Sequence, residues 1–174
     1  MNVVNDEAPV FTSGATFSAA ENQTSIGTVT ATDVDTDNSS ITFSVSGSEL
    51  SIGSSTGVLA FNSAPDYETK TTYTATVTAS DGTNTTNQNI TVNVTNANDN
   101  TPSITSSSTF SAAENQTAIG TVTATDSDGD TITYSLSGTD ASSMIINSSN
   151  GIMSFNSAPD YETKSSYSVT VTAS

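Results

Sequence analysis

The sequence predicts an all-β protein of two tandem Greek-key β-sandwich domains, the second lacking its last strand. Three observations predict it: apolar and polar residues alternate with period two, turn chemistry separates the alternating stretches, and the whole pattern occurs twice. Phe17-Ser-Ala-Ala-Glu-Asn-Gln-Thr24 returns as Phe110 to Thr117, a spacing of 93 residues. Phe61-Asn-Ser-Ala-Pro-Asp-Tyr-Glu-Thr-Lys70 returns as Phe155 to Lys164, a spacing of 94. A period that long is a small domain rather than one turn of a solenoid.

In chain order, the strand candidates of the first repeat are residues 16–19, 27–32, 41–46, 49–52, 57–61, 72–80 and 87–95. The clearest is 72–80, where Tyr73, Ala75, Val77 and Ala79 alternate with Thr74, Thr76, Thr78 and Ser80. Such alternation marks a strand with one face buried. Asp-Asn-Ser-Ser at 37–40, Ser-Ser-Thr-Gly at 54–57 and Asp81-Gly82 supply turns between strands. No segment shows a helical period, and about seven short strands in ~90 residues is the count of a Greek-key sandwich. Polar linker composition with Pro9 and Pro102 places residues 1–8 as the end of a preceding linker, 9–96 as the first repeat, 97–101 as a linker and 102–174 as the second repeat. Ser174 matches Ser80, so nothing in 102–174 corresponds to Asp81 or to strand 87–95. An exposed sheet edge is expected there. The stub Met1–Val4 falls where such a strand would end in a preceding repeat.

Composition narrows the partners. The 174 residues hold 18 Asp+Glu, 2 Lys+Arg and no His, a formal charge of −16 with only 33% apolar residues. Low hydrophobicity with high charge also marks disorder, but disordered chains have no reason to keep a period of two. Two lysines cannot supply a nucleic-acid surface, and anionic membranes would repel the chain. A cation suits it, because the carboxylates repel one another. There is no cysteine, no signal peptide and no apolar run that could span a bilayer, so no membrane insertion by this segment is expected. The chain reads as excised from something longer. Without His, Cys or Arg, and with acids gathered near domain ends rather than paired across a cleft, an enzyme is not expected.

The acids recur with the repeat. Asp-x-Asp follows a strand at 33/35 and 126/128, Asp-Tyr-Glu lies at 66–68 and 160–162, and a Glu-Asn pair lies at 21–22 and 114–115. Calcium takes six to eight oxygen ligands, which several such loops can supply together. Asp126-Ser-Asp-Gly-Asp130 invites an EF-hand reading, but the twelfth position is Ser137 rather than glutamate and no flanking helices are expected. The seven Asn-x-Ser/Thr sequences are what a Thr/Ser/Asn-rich chain contains by chance.

Ala31-Thr-Asp-Val-Asp35, Asp66-Tyr-Glu68, Ala79-Ser-Asp81, Glu21-Asn22 and Asn96-Ala-Asn-Asp-Asn100 with Pro102 together resemble the motif set of cadherin repeats. The resemblance covers almost the whole chain. It implies calcium ions at the junction of consecutive domains, stiffening a rod. Carried over, it implies a junction site of Glu21, Asp66 and Glu68 from the first repeat, Asn98, Asp99 and Asn100 from the linker, and Asp126 and Asp128 from the second. A partial N-terminal site would use Asn5, Glu7, Asp33, Asp35 and Asp81, and a partial C-terminal one Glu114, Asp160 and Glu162. The acid the family uses after Ala173-Ser174 is missing here, so the ion deepest in the second domain is expected to be weakened, water-completed or absent. Asn96 departs from the family's usual aspartate, and Asn5-Asp6-Glu7 matches only in part. With no Trp, tryptophan-exchange adhesion is excluded. The Arg-free, Thr/Ser/Asn-rich composition resembles cadherin-like repeats of bacterial surface proteins.

The resemblance thus implies a calcium-dependent, extracellular structural or adhesive module of a secreted or surface protein, partnered by adjacent repeats. Two alternatives stand beside it. One is a calcium-dependent polysaccharide-binding module, for which Tyr67 and Tyr161 beside the acids are the candidate platforms. The other is self-association, through homophilic repeat contacts or capture of a strand at the open edge.

Overall fold

The computed structural model describes residues 4, 5, 7–35 and 40–174. The 37–40 turn (Ser40 apart), Asp6 of the N-terminal motif and the Met1–Val4 stub (Val4 apart) lie outside the described residues. Two compact units divide the chain, Met1–Ala97 and Asn98–Ser174.

Unit 1 contains β1 (Val10–Phe11), β2 (Thr16–Ala20), β3 (Ser25–Thr28), β4 (Ala31–Thr32), β5 (Thr42–Val45), β6 (Leu50–Ile52), β7 (Val58–Phe61), β8 (Thr72–Ser80) and β9 (Thr85–Thr95). A four-stranded sheet runs β2-β9-β8-β5 and a three-stranded sheet runs β3-β7-β6, with β1 and β4 pairing separately. The inward residues of both sheets meet in one core. Ala19, Val77, Ile90, Val92 and Val94 of the larger sheet pack with Leu50, Leu59 and Phe61 of the smaller, and none is more than 6% exposed. Burying a Val, Leu, Ile or Phe side chain is worth about 1.5–3 kcal/mol, so the seven such residues among these explain how a chain poor in apolar residues still folds.

The structure redraws two of the expected strands. The single strand expected at 27–32 is two, because the chain changes partners: β3 pairs with β7, and β4 pairs with β1. Val29, 1% exposed, sits at the crossover. The strand expected from 87 starts at Thr85, since Asp81 accepts N–H bonds from Thr83 and Asn84 at 2.7 and 2.6 Å and closes the turn early. The β2–β9 pair is parallel, from Thr16↔Thr91 to Ala20↔Thr95.

Unit 2 contains β10 (Ser103–Ile104), β11 (Ala118–Thr121), β12 (Ala124–Thr125), β13 (Tyr134–Ser137), β14 (Met144–Ile146), β15 (Ile152–Phe155) and β16 (Thr170–Ala173). Its sheets are β11-β15-β14, β13-β16 and β10-β12. The β3-β7-β6 and β1-β4 arrangements of unit 1 thus recur, while the four-stranded sheet is reduced to two strands.

Both units need a glycine at the same place. Gly57 has φ +66°, and an added Cβ would lie 2.1 Å from the Val29 carbonyl oxygen. Gly151 has φ +70° and the same 2.1 Å approach to Val122. The close approach serves the N–H bonds from Val29 to Gly57 and from Val122 to Gly151, each 2.9 Å. We expect Gly57→Ala to destabilise unit 1 by at least about 1–2 kcal/mol for the left-handed backbone alone, with the clash adding to it. A melting curve that does not move would show that the loop relaxes.

The two lysines, the chain's entire positive complement, serve the same structural purpose twice. Lys70 pairs with Glu49 and lies 4.3 Å from the centroid of the Tyr73 ring. Lys164 pairs with Asp140 and lies 4.6 Å from that of Tyr167. Lys164 and the N–H of Ser168 hold the Asp140 carboxyl below its ordinary range. A depressed folded-state value stabilises above the ordinary aspartate pKa, about 3.9, and the contribution is lost as pH falls through the folded value. Unit 2 is therefore expected to lose stability in that acid window, and Lys164→Met to flatten the loss in an acid titration followed by circular dichroism.

Candidate metal-binding sites

The Glu-Asn motif begins each site with a backbone constraint. Asn22 and Asn115 have φ of 62° and 61°, and they are the non-glycine residues with positive φ among those described. Asparagine tolerates this region better than most side chains. The turn lets the N–H of Asn22 reach Pro65 O and that of Asn115 reach Pro159 O, each at 3.0 Å. Each turn thereby brings its glutamate to the Asp-Tyr-Glu loop.

In unit 1, Glu21 is 4% exposed and fully engaged. Its Oε2 accepts the N–H of Tyr67 and its Oε1 the N–H of Ala97, both at 2.7 Å. Glu68 brings a carboxylate oxygen within 4.8 Å of it. Asp66 is turned into its own loop, where Oδ1 accepts the Thr69 N–H at 3.1 Å and Oδ2 the Thr69 hydroxyl at 2.9 Å. Tyr67 is half-buried and packs against the core.

The other end of unit 1 lies along β8, nine residues or roughly 30 Å away. There the Asp-x-Asp loop ties down the preceding segment. The N–H of Asp35 bonds Asp33 Oδ1 and the N–H of Glu7 bonds Asp35 Oδ2, both at 3.0 Å. Burial pushes the Asp81 carboxyl up, but the N–H groups of Asn84 and Thr83, with the side chains of Asn84 and Asn5, more than offset it and hold it below the usual range. Asn84 also donates to Glu7 O at 2.8 Å. Oδ1 of Asn5 is buried and accepts no hydrogen bond. Buried oxygens normally find a donor, and a bound cation is one explanation for an orphan. The residues present are carboxylates, an amide oxygen and backbone carbonyls, an all-oxygen donor set suited to a hard cation.

Unit 2 repeats the lock at its own start. Asp128 Oδ2 accepts the N–H of Asp99 at 3.1 Å and of Asn100 at 2.8 Å, and Asp128 donates its N–H to Asp126 Oδ1 at 3.0 Å. Asn100 Nδ2 bridges Asp99 Oδ1 and Asp128 Oδ1, each at 2.8 Å. Asn98 is exposed. Asp126, Asp128 and Asp130 bring carboxylate oxygens within 4.8 Å of one another. Asp130 was not among the expected ligands; its signal was the Asp-x-Asp-Gly-Asp series, set aside together with the EF-hand. Asn84 was also missed, for its one short motif, Asn84-Thr-Thr86, carries no signal for a cation. Farther on, Glu114, Asp160 and Glu162 form an exposed group of oxygens within 4.8 Å. The hydroxyl of Thr163, opposed by burial and joined by the N–H groups of Glu162 and Thr163, holds Asp160 below its ordinary pKa. Tyr161 beside it is 64% exposed.

The family model for the cadherin domain matches residues 15–95 and 108–174. The chain belongs to the cadherin family, as two tandem cadherin domains. Among solved structures it is similar to mouse cadherin-23 EC22-24, with a TM-score of 0.79 and 24% identity over 98% of this chain and 60% of that one. It is similar to the human desmocollin-1 ectodomain, with a TM-score of 0.75 and 25% identity over 92% of this chain and 36% of that one. Human protocadherin-24 EC1-2 superposes with a TM-score of 0.73 and 23% identity over 95% and 92% of the two chains. The chain thus spans less than two thirds of each of the first two. No curated protein matches it. Among the described residues no helix is long and apolar enough to cross a membrane.

Proposed function

We propose that the chain is a calcium-dependent extracellular segment of a multi-repeat adhesive or structural protein, with calcium held by the acidic loops at the domain ends. The observation that carries the reading is the crowding of like charge. Asp126, Asp128 and Asp130 hold carboxylate oxygens within 4.8 Å, as do Glu114, Asp160 and Glu162, while both lysines are committed to Glu49 and Asp140. Carboxylates at that spacing repel, and a divalent cation relieves the repulsion at every one of them together. The orphaned Oδ1 of Asn5 supports the same reading at the start of unit 1.

The proposed ligands are Asn5, Glu7, Asp33, Asp35 and Asp81 at the start of unit 1. The junction set is Glu21, Asp66, Glu68, Asn98, Asp99, Asn100, Asp126 and Asp128, with Asp130 added from the geometry within unit 2. Glu114, Asp160 and Glu162 would serve a following repeat. Bound calcium supplies positive charge and multiple oxygen coordination, so that loops held apart by repulsion become one stiff end. Calorimetric titration tests this directly. Saturable uptake of two or more ions at millimolar calcium, with a longer and stiffer particle in small-angle scattering, is the expected result. No uptake would reduce the acids to solvated loops and sink the proposal.

A further inference from the structure

The larger sheet of unit 1 turns outward a face unlike the rest of this acidic chain. Its strands β2, β5, β8 and β9 hold none of the 18 acids and neither lysine. Tyr73, Val77, Ile90 and Val92 pack inward. The residues that alternate with such core positions, on all four strands, are Thr, Ser or Asn, Ala20 apart. The strands are hydrogen-bonded in the order β2-β9-β8-β5, so this neutral face is continuous. In unit 2, Ser135 and Ser137 of β13 and Thr170 and Thr172 of β16 are exposed in the same alternation.

Threonine suits a strand, but asparagine is depleted in strands. Asn87, Asn89 and Asn93 nonetheless share the outward side of β9, all three exposed. Two of them are held in place by β8. Thr78 Oγ1 donates to Asn87 Oδ1 at 2.7 Å, and Thr76 Oγ1 to Asn89 Oδ1 at 2.9 Å, each across a register pair. The amide oxygens are thereby occupied, and the Nδ2 groups remain to donate elsewhere. Alternate residues of a strand stand roughly 6.6–6.8 Å apart, so the two amides are an evenly spaced pair of donors set before any ligand arrives. Residues that go against local propensity and pack into nothing are the ones to ask for a function.

We propose that this face binds a neutral polysaccharide laid along β8 and β9. Charge selects the class of partner. A formal charge of −16 repels polyanions and a second copy of the chain, and a polycation is drawn to the acidic loops instead. An apolar peptide or a lipid finds no outward apolar side chain on these strands beyond Ala20. A neutral, hydroxyl-rich polymer is not repelled. Its oxygens accept from the Asn Nδ2 groups, and its hydroxyls donate to the Thr and Ser oxygens. β8 is nine residues, or roughly 30 Å, long, so several sugar units are engaged together. Binding therefore rests on many hydrogen bonds rather than on aromatic stacking, and it uses none of the proposed calcium ligands.

The test is affinity electrophoresis of the full chain in calcium through gels holding hydroxyethyl cellulose, galactomannan or dextran, with carboxymethyl cellulose as the charged control. Retardation by at least one neutral polymer and none by the charged one is expected. In a nuclear magnetic resonance titration with that polymer, the side-chain amide signals of Asn87 and Asn89 are expected to shift. The double substitution Asn87→Asp with Asn89→Asp keeps both threonine bonds but replaces two donors by charges. It is expected to weaken binding at least about tenfold with an unchanged melting midpoint. Ser51→Asp, which adds a charge to β6 of the smaller sheet, is expected to leave binding as it was. No retardation by any neutral polymer would overturn the proposal, as would equal binding of the double variant. Should that variant melt early, the unsubstituted chain decides, and shifts confined to residues off this sheet would overturn it. Dimerisation of the chain alone that the same double substitution abolishes would overturn it in favour of a second copy. A chain that takes up no calcium yet binds the polymer would sink the calcium reading and leave this one standing.

Discussion

Chelating calcium is expected to lower the melting temperature of the chain by on the order of 10–20 °C for each site emptied. The figure follows from linkage. Extracellular modules bind calcium at ~10⁻⁴–10⁻³ M. An ion at about 100 times its Kd stabilises the folded state by about 2.7 kcal/mol. For a domain of roughly 60–100 residues each kcal/mol moves the midpoint by about 4–8 °C. Against a typical stability of about 5–15 kcal/mol, two such sites decide whether a domain stays folded at body temperature. The measurement is a pair of melting curves, in calcium and in chelator, with a third in chelator plus about 0.15 M sodium chloride. Monovalent salt screens repulsion between exposed acids, so full recovery in salt would mean that no specific site exists. Recovery with calcium alone is the expected outcome, and chelator should also expose the loops to protease.

Glu21→Ala is expected to destabilise unit 1 by about 3 kcal/mol in chelator, while Glu114→Ala costs unit 2 less than about 1 kcal/mol. The two glutamates occupy the same place in the repeat, and their surroundings differ. Glu21 is 4% exposed and holds two backbone N–H groups at 2.7 Å. Removing it leaves both donors short of a partner in a dry site, at about 1–3 kcal/mol each. Glu114 is exposed, with one bond, to the N–H of Tyr161 at 3.1 Å. Water replaces it readily. Chelator separates this effect from any lost ion. The comparison is read by hydrogen exchange in β9 for unit 1 and in β15 for unit 2, and equal costs in the two units would refute the account.

That pair of residues also marks how far the chain could be read without its fold. The all-β class, the doubling and the strand candidates were legible, because period-two alternation and turn chemistry are local properties. The strand at 72–80 emerges at its expected bounds for that reason. Asp33, Asp35, Asp126 and Asp128 could be picked out too, because Asp-x-Asp recurs just after a strand. Their geometric role, each second aspartate accepting the N–H of the segment before the domain, involves residues 28 positions apart and was not legible.

What the sequence determined by itself was composition, periodicity and the identity of the acids: which faces are apolar, where turns fall and which loops carry charge. Pairing was decided only in three dimensions. Phe-Ser-Ala-Ala is strand β2 at 17–20 and not a strand at 110–113, although the letters are the same. The difference is β9, which supplies the hydrogen bonds and the apolar cover in one unit and has no counterpart within 102–174. A strand exists only as half of a ladder, and a carboxylate is buried only if something closes over it. Both depend on a neighbour distant in the chain, which no local pattern can name.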